Sequence, residues 1–139
     1  MRSIKDETNL NNKKILLRLD LNVPLNNGKI HDTTRIDKIL PTLKFLIKQN
    51  SKIIILSHVG RPKGKVVKEL SLKPISKYIA KKLNQKVMLI TKNIKEINNN
   101  ELFNNIDEKI IMLENIRYYF EEEKNDYEFA NHLSTLGDI

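Results

Sequence analysis

Residues 52–57 read KIIILS, and this stretch decides the fold of the chain. Four aliphatic residues in succession, over the length of a strand, predict a β-strand that is covered on both faces. A strand with one face in water would instead alternate apolar and polar side chains. Because strands covered on both faces are typical of parallel sheets, the stretch predicts a strand of a parallel α/β sheet.

Apolar runs of strand length alternate with helical patterns along the rest of the chain. Three further strands are predicted, at residues 14–20, 86–90 and 109–113. The helical period of apolar side chains predicts three helices, at residues 34–50, 71–83 and 126–136. This alternation predicts an α/β fold, a three-layer, Rossmann-like parallel sheet with helices on both faces.

Local signals predict where these elements begin and end. Asp32 and Thr33 or Thr34 are suited to cap the first helix, with Asp37 placed for a capping box on Thr34, and Pro41 predicts a kink inside the helix. Ser71 is suited to cap the second helix, and Gly137 is suited to stop the last one. The sequence Asn26-Asn27-Gly28 predicts a turn. At most a short helix is predicted around residues 102–103.

The composition excludes several classes of protein. A chain of 139 residues with 40% apolar residues suits one compact domain with a packed core. It has no cysteine, so disulfides and thiolate metal sites are excluded, and no His, Asp or Glu grouping has metal-ligand spacing. No apolar run approaches the ~20 residues of a membrane span, and the first residues lack the apolar region of a secretory signal. A cytoplasmic protein without a membrane partner is therefore expected.

The net charge of +8 raises the possibility of nucleic-acid binding, since clustered Lys and Arg neutralise phosphates. The lysines are dispersed along the whole chain, however, and the longest basic strings are pairs such as Lys13-Lys14 and Lys81-Lys82. Dispersed lysines are typical of a solvated surface rather than of a nucleic-acid-binding patch. No nucleic-acid partner is therefore expected, and a basic nucleic-acid-binding domain is kept as an alternative.

Arginine is more informative, because only five of the 25 basic residues are Arg. A chain that uses Lys for ordinary positive charge needs Arg where a carboxylate or phosphate is held by two parallel hydrogen bonds. In open parallel sheets, ligands bind beyond the carboxyl ends of the strands. Polar residues lie at or just beyond the ends of three of the predicted strands: Arg18, Asp20 and Asn22; His58 and Arg61; Asn115 and Arg117.

Arg35 lies near the start of the first predicted helix, where free amides and the helix dipole favour anions. With the strand-end residues, it predicts a site for a small, doubly anionic ligand that carries a phosphate and a carboxylate. Simpler roles stay open for the individual residues. Arg18 could pair with a neighbouring carboxylate, and Asp20 and Asn22 could cap turns.

Other catalytic motifs fail on spacing. Residues 60–65, GRPKGK, have one residue too few between the glycines for a phosphate-binding P-loop, and no Ser or Thr follows Lys65. No Ser or Cys lies in a nucleophile elbow, so a covalent mechanism has no support.

A series of motifs, in order along the chain, resembles the signatures of the phosphoglycerate kinase family. The resemblance runs from about Lys14 to Ile139, and the motifs together are far more specific than any one of them. They are residues 18–24 (RLDLNVP), 32–36 (DTTRI), 57–64 (SHVGRPKG), 71–74 (SLKP), 113–117 (LENIR), 122–126 (EEKND), 128–130 (EFA) and 136–138 (LGD).

The resemblance implies a glycolytic phosphotransferase that moves a phosphoryl group between 1,3-bisphosphoglycerate and ADP. It implies that Arg35 is catalytic and binds substrate, and that Arg18 supports Asp20 and Arg35. The other substrate-binding residues implied for 3-phosphoglycerate are Asp20, Leu21, Asn22, His58, Val59, Gly60, Arg61 and Arg117. Mg-ADP or Mg-ATP would bind the C-terminal domain of a full-length, monomeric enzyme, so no metal or cofactor is expected in this chain.

The chain is much shorter than a full member of the family. Residues 1–139 are therefore expected to be a partial N-terminal, 3-phosphoglycerate-binding domain, with a sheet that is incomplete at its C-terminal end and without the nucleotide-binding domain. Such a piece would carry most of the 3-phosphoglycerate site and would lack kinase activity by itself. The alternative from another class is a stand-alone anion-binding module without kinase activity.

Overall fold

The computed structural model describes residues 3–7, 9–26, 28–104 and 106–139. The predicted turn at residues 26–28 includes Asn27, which lies outside the described residues. Met1 and Arg2, at the N-terminus that lacks a secretory signal pattern, also lie outside them. The strands are β1 (Lys14–Arg18), β2 (Leu25–Asn26), β3 (Lys29–Ile30), β4 (Lys52–Leu56), β5 (Val87–Ile90) and β6 (Ile110–Leu113). The α-helices are α1 (Thr34–Lys48), α2 (Lys73–Leu83), α3 (Phe120–Glu123) and α4 (Tyr127–Ser134).

Four of these strands form a parallel sheet in the order β1-β4-β6-β5, and β2 and β3 form a separate antiparallel pair. The stretch at residues 52–57 supplies β4, which lies between β1 and β6. In the register, Ile54 pairs with Leu16 on one side and with Ile111 on the other. Because all four strands run in the same direction, their carboxyl ends lie along one edge of the sheet.

Both faces of the sheet are covered, which confirms the predicted layers. Ile53 and Ile55 belong to a core that contains the inner faces of α1 and α2. Ile54 belongs to a second core on the opposite face, with Phe129 and Leu133 of α4. All three isoleucines are fully buried. None of the described helices is long and apolar enough to cross a bilayer.

The prediction of a capping box at Thr34 is wrong. Thr33 is the N-cap residue, and the cap makes no side-chain hydrogen bond to the helix backbone. The hydroxyl of Thr33 donates to Asp37 (2.9 Å). The hydroxyl and amide of Thr34 donate to Asp32, and these bonds hold the pKa of the Asp32 carboxyl below its usual value. Several short polar side chains compete for the same amides here, so the sequence alone does not fix the partner.

Other predicted elements also differ, and the first helix ends at Lys48 rather than near residue 50. The first strand ends at Arg18 rather than at residue 20. Residues 102–103 form a turn after a 3-10 helix at Asn99–Glu101. The last helix ends at Ser134, before Leu136, and Gly137 is not in the left-handed region that would stop a helix. Gly137 instead packs against β1, where a Cβ atom would lie 2.8 Å from the Cβ of Leu16.

The N-cap residue of the second helix lies one position after the predicted cap, Ser71. Leu72 is the N-cap residue, and the hydroxyl of Ser71 accepts a hydrogen bond from the amide of Lys73 (3.2 Å). The α1 helix continues through Pro41. The kink expected there stays a prediction.

The outer edge of β1 is hydrogen-bonded to the last two residues of the chain. The amide of Asp138 donates to the carbonyl of Lys14 (2.7 Å), and the amide of Leu16 donates to the carbonyl of Ile139 (2.9 Å). The amide of Lys14 also donates to the Asp138 carboxylate (2.9 Å). These bonds give polar partners to part of the edge of β1.

Candidate functional site

The carboxyl ends of β1, β4 and β6 bring three of the predicted segments together. β1 is followed by Leu19–Asn22, β4 by residues 57–61, and β6 by residues 114–117. Ser57 joins the first two segments, because its hydroxyl donates to the carbonyl of Leu19 (2.7 Å) and accepts from the amide of Leu21 (3.1 Å). The amide of Ile116 donates to the carbonyl of Ser57 (3.1 Å) and joins the third.

Arg35 is held against the end of β1 from the first turn of α1. Its Nη1 atom donates to Oδ1 of Asp20 (3.2 Å) and to the carbonyl oxygen of Asn22 (3.0 Å). Both charged side chains are more than half exposed, at 54% for Arg35 and 70% for Asp20. The ion pair therefore adds little stability. It aims a guanidinium, with further N–H groups, at the solvent beyond the strand ends.

Asn22 links this arrangement to the segment after β4. Its Oδ1 atom accepts a hydrogen bond from the amide of Gly60 (3.0 Å). Gly60 has φ of +64°, and a Cβ atom there would lie 2.7 Å from Cδ2 of Leu70. A residue with a side chain would have to displace this close contact and adopt an unfavourable backbone conformation.

Leu21 and Val59 occupy the core rather than the surface, at 0% and 2% exposed. Their side chains pack in the core that contains the inner faces of α1 and α2. A ligand at the strand ends could therefore meet only the backbone of these two predicted residues. They anchor the exposed neighbour Asp20 and the half-buried neighbours Asn22 and Gly60 to the sheet.

His58 and Arg117 face each other closely enough to interact electrostatically. Partial burial lowers the pKa of His58 below its usual value, and the positive charges of Arg117 and Arg18 lower it further, against smaller opposite effects of Asp20 and Glu122. The Nε atom of Arg117 is buried and has no hydrogen-bond partner among the described residues. An anion bound beside His58 and Arg117 would oppose this lowering of the pKa and favour the protonated imidazole.

The surroundings of Arg18 and Arg61 are different: Arg18 is paired with a carboxylate, and Arg61 is exposed. Arg18 pairs with Glu122, whose side chain is only 10% exposed, and makes no hydrogen bond to Asp20 or Arg35. The support of Asp20 and Arg35 by Arg18 stays a prediction. The simpler alternative, an ion pair of Arg18 with a carboxylate, is present. Arg61 is exposed and makes no hydrogen bond with the described part of the chain.

Sequence reasoning missed three residues that organise this edge: Ser57, Glu114 and Glu122. Each is a small or charged polar residue with little exposed side chain, and each bonds a segment far away in sequence. The only local signal was polarity directly after a buried strand, which marks Ser57 and Glu114. No local signal marks Glu122, which lies in a run of three glutamates.

The site is open to solvent at Arg35 and Asp20, whose side chains are more than half exposed. A cavity of about 710 Å³ lies beside it and is bordered by Gly64, Lys68, Lys95, Tyr118 and Phe120 among others. None of the predicted site residues lines that cavity. We call the strand ends that carry Arg35, His58 and Arg117 the basic edge of the sheet. A ligand at the basic edge would stay exposed on one side unless another surface covers it.

We expect NMR titration to show a His58 pKa below the usual value of about 6.5, and a higher value in Arg117→Met. The substitution removes a nearby positive charge, which favours the imidazolium. Because the folded-state pKa is lowered, protonation favours the unfolded chain, so the stability contributed by neutral His58 is lost as the pH falls below about 6.5 toward the folded pKa. An unchanged His58 pKa in the variant would show that Arg117 does not act on it.

Comparisons with known proteins identify the family of the chain. The family model for phosphoglycerate kinase matches residues 4–139. Among curated proteins, the phosphoglycerate kinase of Borreliella afzelii (strain PKo) is 43% identical over 140 residues, which cover 100% of this chain and 35% of the relative. That of Prochlorococcus marinus (strain MIT 9515) is 44% identical over 137 residues, with 96% and 34% covered.

Solved structures give the same result. Phosphoglycerate kinase from Coxiella burnetii superposes with a TM-score of 0.83 at 39% identity, over 97% of this chain and 33% of that one. The enzyme from Pyrococcus horikoshii OT3 has a TM-score of 0.81 at 28% identity, with 99% and 35% covered. The chain thus spans about a third of the length of these relatives. It belongs to the phosphoglycerate kinase family.

Proposed function

We propose that the basic edge of the sheet binds 3-phosphoglycerate, as the substrate-binding part of a kinase that transfers a phosphoryl group between 1,3-bisphosphoglycerate and ADP. One observation carries the proposal. Asp20, Asn22, Arg35 and Gly60 are linked by hydrogen bonds, and the electrostatic pair His58 and Arg117 lies at the same strand ends. Family membership makes a three-carbon acid phosphate the natural ligand of this arrangement.

One side of the site suits the carboxylate and hydroxyl end of the ligand. The Asp20 carboxylate accepts hydrogen bonds and would receive one from the 2-hydroxyl group. The Asn22 side-chain amide has its oxygen occupied by the amide of Gly60, which leaves its NH₂ group to donate to a carboxylate. Arg35, beside both, supplies positive charge where the acyl phosphate would lie.

The other side suits the phosphate at C3. His58, Arg61 and Arg117 come from two neighbouring loops, and the guanidinium groups can each give two parallel bonds to phosphate oxygens. A bound dianion would raise the pKa of His58 and favour its protonated, donating form. The phosphate would give the guanidinium of Arg117 a partner. The Nε atom of Arg117 has no hydrogen-bond partner among the described residues.

Arg35 would act on the phosphoryl group in transfer. The transition state is loose and spreads negative charge over the equatorial oxygens, so catalysis depends on position and on neutralisation of charge. Arg35 is fixed through one nitrogen by Asp20 and Asn22, and its remaining N–H groups can follow the developing charge. The group needs no reorganisation when the charge develops.

Magnesium and the nucleotide are assigned to the remainder of such a kinase. Within the described residues, no three His, Cys, Asp or Glu side chains are grouped so that they could hold a metal ion. The described residues therefore offer no magnesium site of this kind. By itself the chain is expected to bind 3-phosphoglycerate without turnover.

Calorimetric titration of the chain with 3-phosphoglycerate tests the proposal. We expect saturable binding, weakened roughly 10-fold or more in Arg117→Met, because a charge-assisted hydrogen bond contributes about 1.5–3 kcal/mol. The matched control is Lys81→Met, which removes the same charge from an exposed position on α2. Binding weakened equally by both variants would indicate only a general effect of charge.

The same titrations separate the alternatives. A nucleic-acid-binding domain would ignore 3-phosphoglycerate and bind an oligonucleotide with a steep dependence on salt concentration. A stand-alone anion-binding module would bind 3-phosphoglycerate equally well. The gene sequence beyond codon 139 then decides, because an open frame that continues with kinase sequence supports the kinase and a stop codon supports the module.

A further inference from the structure

The loop after β4 is hydrogen-bonded along its length to the segment after β6. We call residues 58–70 the basic loop and residues 114–118 the anchor segment. The basic loop carries His58, Gly60 and Arg61, and the anchor segment carries Arg117. The two are far apart in sequence, so their relative position depends on the bonds between them.

Asn115 makes the central bonds. It is fully buried, and its Nδ2 atom donates to the carbonyl of Val59 (2.9 Å) and to the carbonyl of Leu70 (2.9 Å). These carbonyls lie near the two ends of the basic loop, so one amide group closes the loop. Its Oδ1 atom accepts from the amide of Arg117 (3.0 Å). One side chain thus contacts both arms of the phosphate site.

Glu114 holds Asn115 and the far end of the loop. Its side chain lies in the interior, and Oε2 accepts from the hydroxyl of Ser71 (2.6 Å). Oε1 accepts from the amides of Leu72 (2.8 Å) and Asn115 (2.9 Å). A buried carboxylate with three donors is fully committed to structure at this point, and it is not available to a ligand.

Two more bonds complete the connection. The hydroxyl of Tyr118 donates to the carbonyl of Val67 (2.6 Å), and the amide of Gly64 donates to the carbonyl of Arg117 (3.2 Å). Burial, with the nearby charges of Glu114 and Glu69, raises the pKa of Tyr118 to about 12, so it stays a donor at neutral pH.

We infer that Glu114 and Asn115 are positioning residues that fix the basic loop and Arg117 against each other, so that His58, Arg61 and Arg117 hold one phosphate together. The inference rests on the proposed binding of 3-phosphoglycerate. Two basic arms on separate loops would otherwise have to be ordered when the ligand binds, at a cost in affinity. With the anchor segment in place, that order exists before the ligand arrives.

A double-mutant cycle on ligand affinity tests the coupling. Arg61 is exposed and unbonded within the described residues, so Arg61→Ala removes its charge without disturbing the fold. We expect Asn115→Ala and Arg61→Ala each to raise the Kd for 3-phosphoglycerate about 10-fold, and the double variant to be at most about threefold weaker than Asn115→Ala alone. If Asn115 served only general stability, the two effects would multiply.

Variants of Glu114 keep the test decisive if Asn115→Ala fails to fold. Glu114→Gln retains an oxygen for the amides of Leu72 and Asn115, and its NH₂ group can donate to the hydroxyl of Ser71. It is expected to bind within about threefold of the wild-type chain, whereas Glu114→Ala is expected to lose about 10-fold. Equal affinities of wild type and Glu114→Ala, with both folded by circular dichroism, would overturn the inference.

The pKa of His58, followed by NMR without any ligand, gives an independent readout. Release of the loop from Arg117 should move this pKa upward in Glu114→Ala and leave it unchanged in Glu114→Gln. A pKa that stays low in Glu114→Ala would show that the arms remain fixed without Glu114. If the wild-type chain does not bind 3-phosphoglycerate, the proposed function is wrong, and the His58 pKa still decides whether these residues position the two arms.

Discussion

Replacing Arg35 by Lys is expected to lower kcat by about 10³-fold or more in a phosphoglycerate kinase that contains this chain, with KM for 3-phosphoglycerate changed by no more than a few-fold. Lys keeps the positive charge but loses the forked geometry. In the structure, one nitrogen of Arg35 is occupied by Asp20 and Asn22, and only a guanidinium has further nitrogens to offer. An ammonium held by the same partners would have fewer donors for the transferred group.

The matched control is Lys38→Ala, on the exposed side of α1 one turn beyond Arg35. It removes a charge from the same helix without touching Asp20 or Asn22, so kcat should stay within about twofold of wild type. Steady-state kinetics with varied 3-phosphoglycerate separate the two parameters. An Arg35→Lys enzyme with a normal kcat would remove Arg35 from the transfer step and leave it a substrate-holding role at most.

The fold could be predicted because its strongest signals are local. Four aliphatic residues at 53–56 are sufficient to indicate a strand covered on both faces, and the helical spacing of apolar residues such as Leu43 and Ile79 indicates the faces that cover it. The element ends were less predictable, because neighbouring polar residues compete. Asp32, Thr33 and Thr34 can each cap a helix, and the observed pattern depends on which amides the folded chain leaves open.

The site was predictable only in part, for a physical reason. The rule that ligands bind at the carboxyl ends of parallel strands identifies the segments that bear Asp20, His58 and Arg117, and the structure brings these segments to one edge. The partners of each residue depend on the tertiary fold. The pairing of Arg18 with Glu122 joins residues 104 positions apart, and nothing near Arg18 in sequence specifies it.

The two faces of β4 give a second large expected effect. We expect Ile54→Ala and Ile55→Ala each to lower the free energy of unfolding by about 2–5 kcal/mol, through lost burial and the cavity left behind. Ile54 packs toward α4 and Ile55 toward α1 and α2, and both are fully buried. A two-layer structure would instead leave one of these side chains in water, where truncation costs little.

Urea denaturation of the chain measures both free energies, with Val66→Ala as the control, since Val66 is 81% exposed and should stay within about 0.5 kcal/mol of wild type. Ile54→Ala should fall toward the lower part of the range. Its side of the sheet is covered by one eight-residue helix and short 3-10 turns, which can move into a cavity more easily than the fifteen-residue α1 and the eleven-residue α2. A cost below 1 kcal/mol for Ile54→Ala would mean that the second layer is not packed in solution.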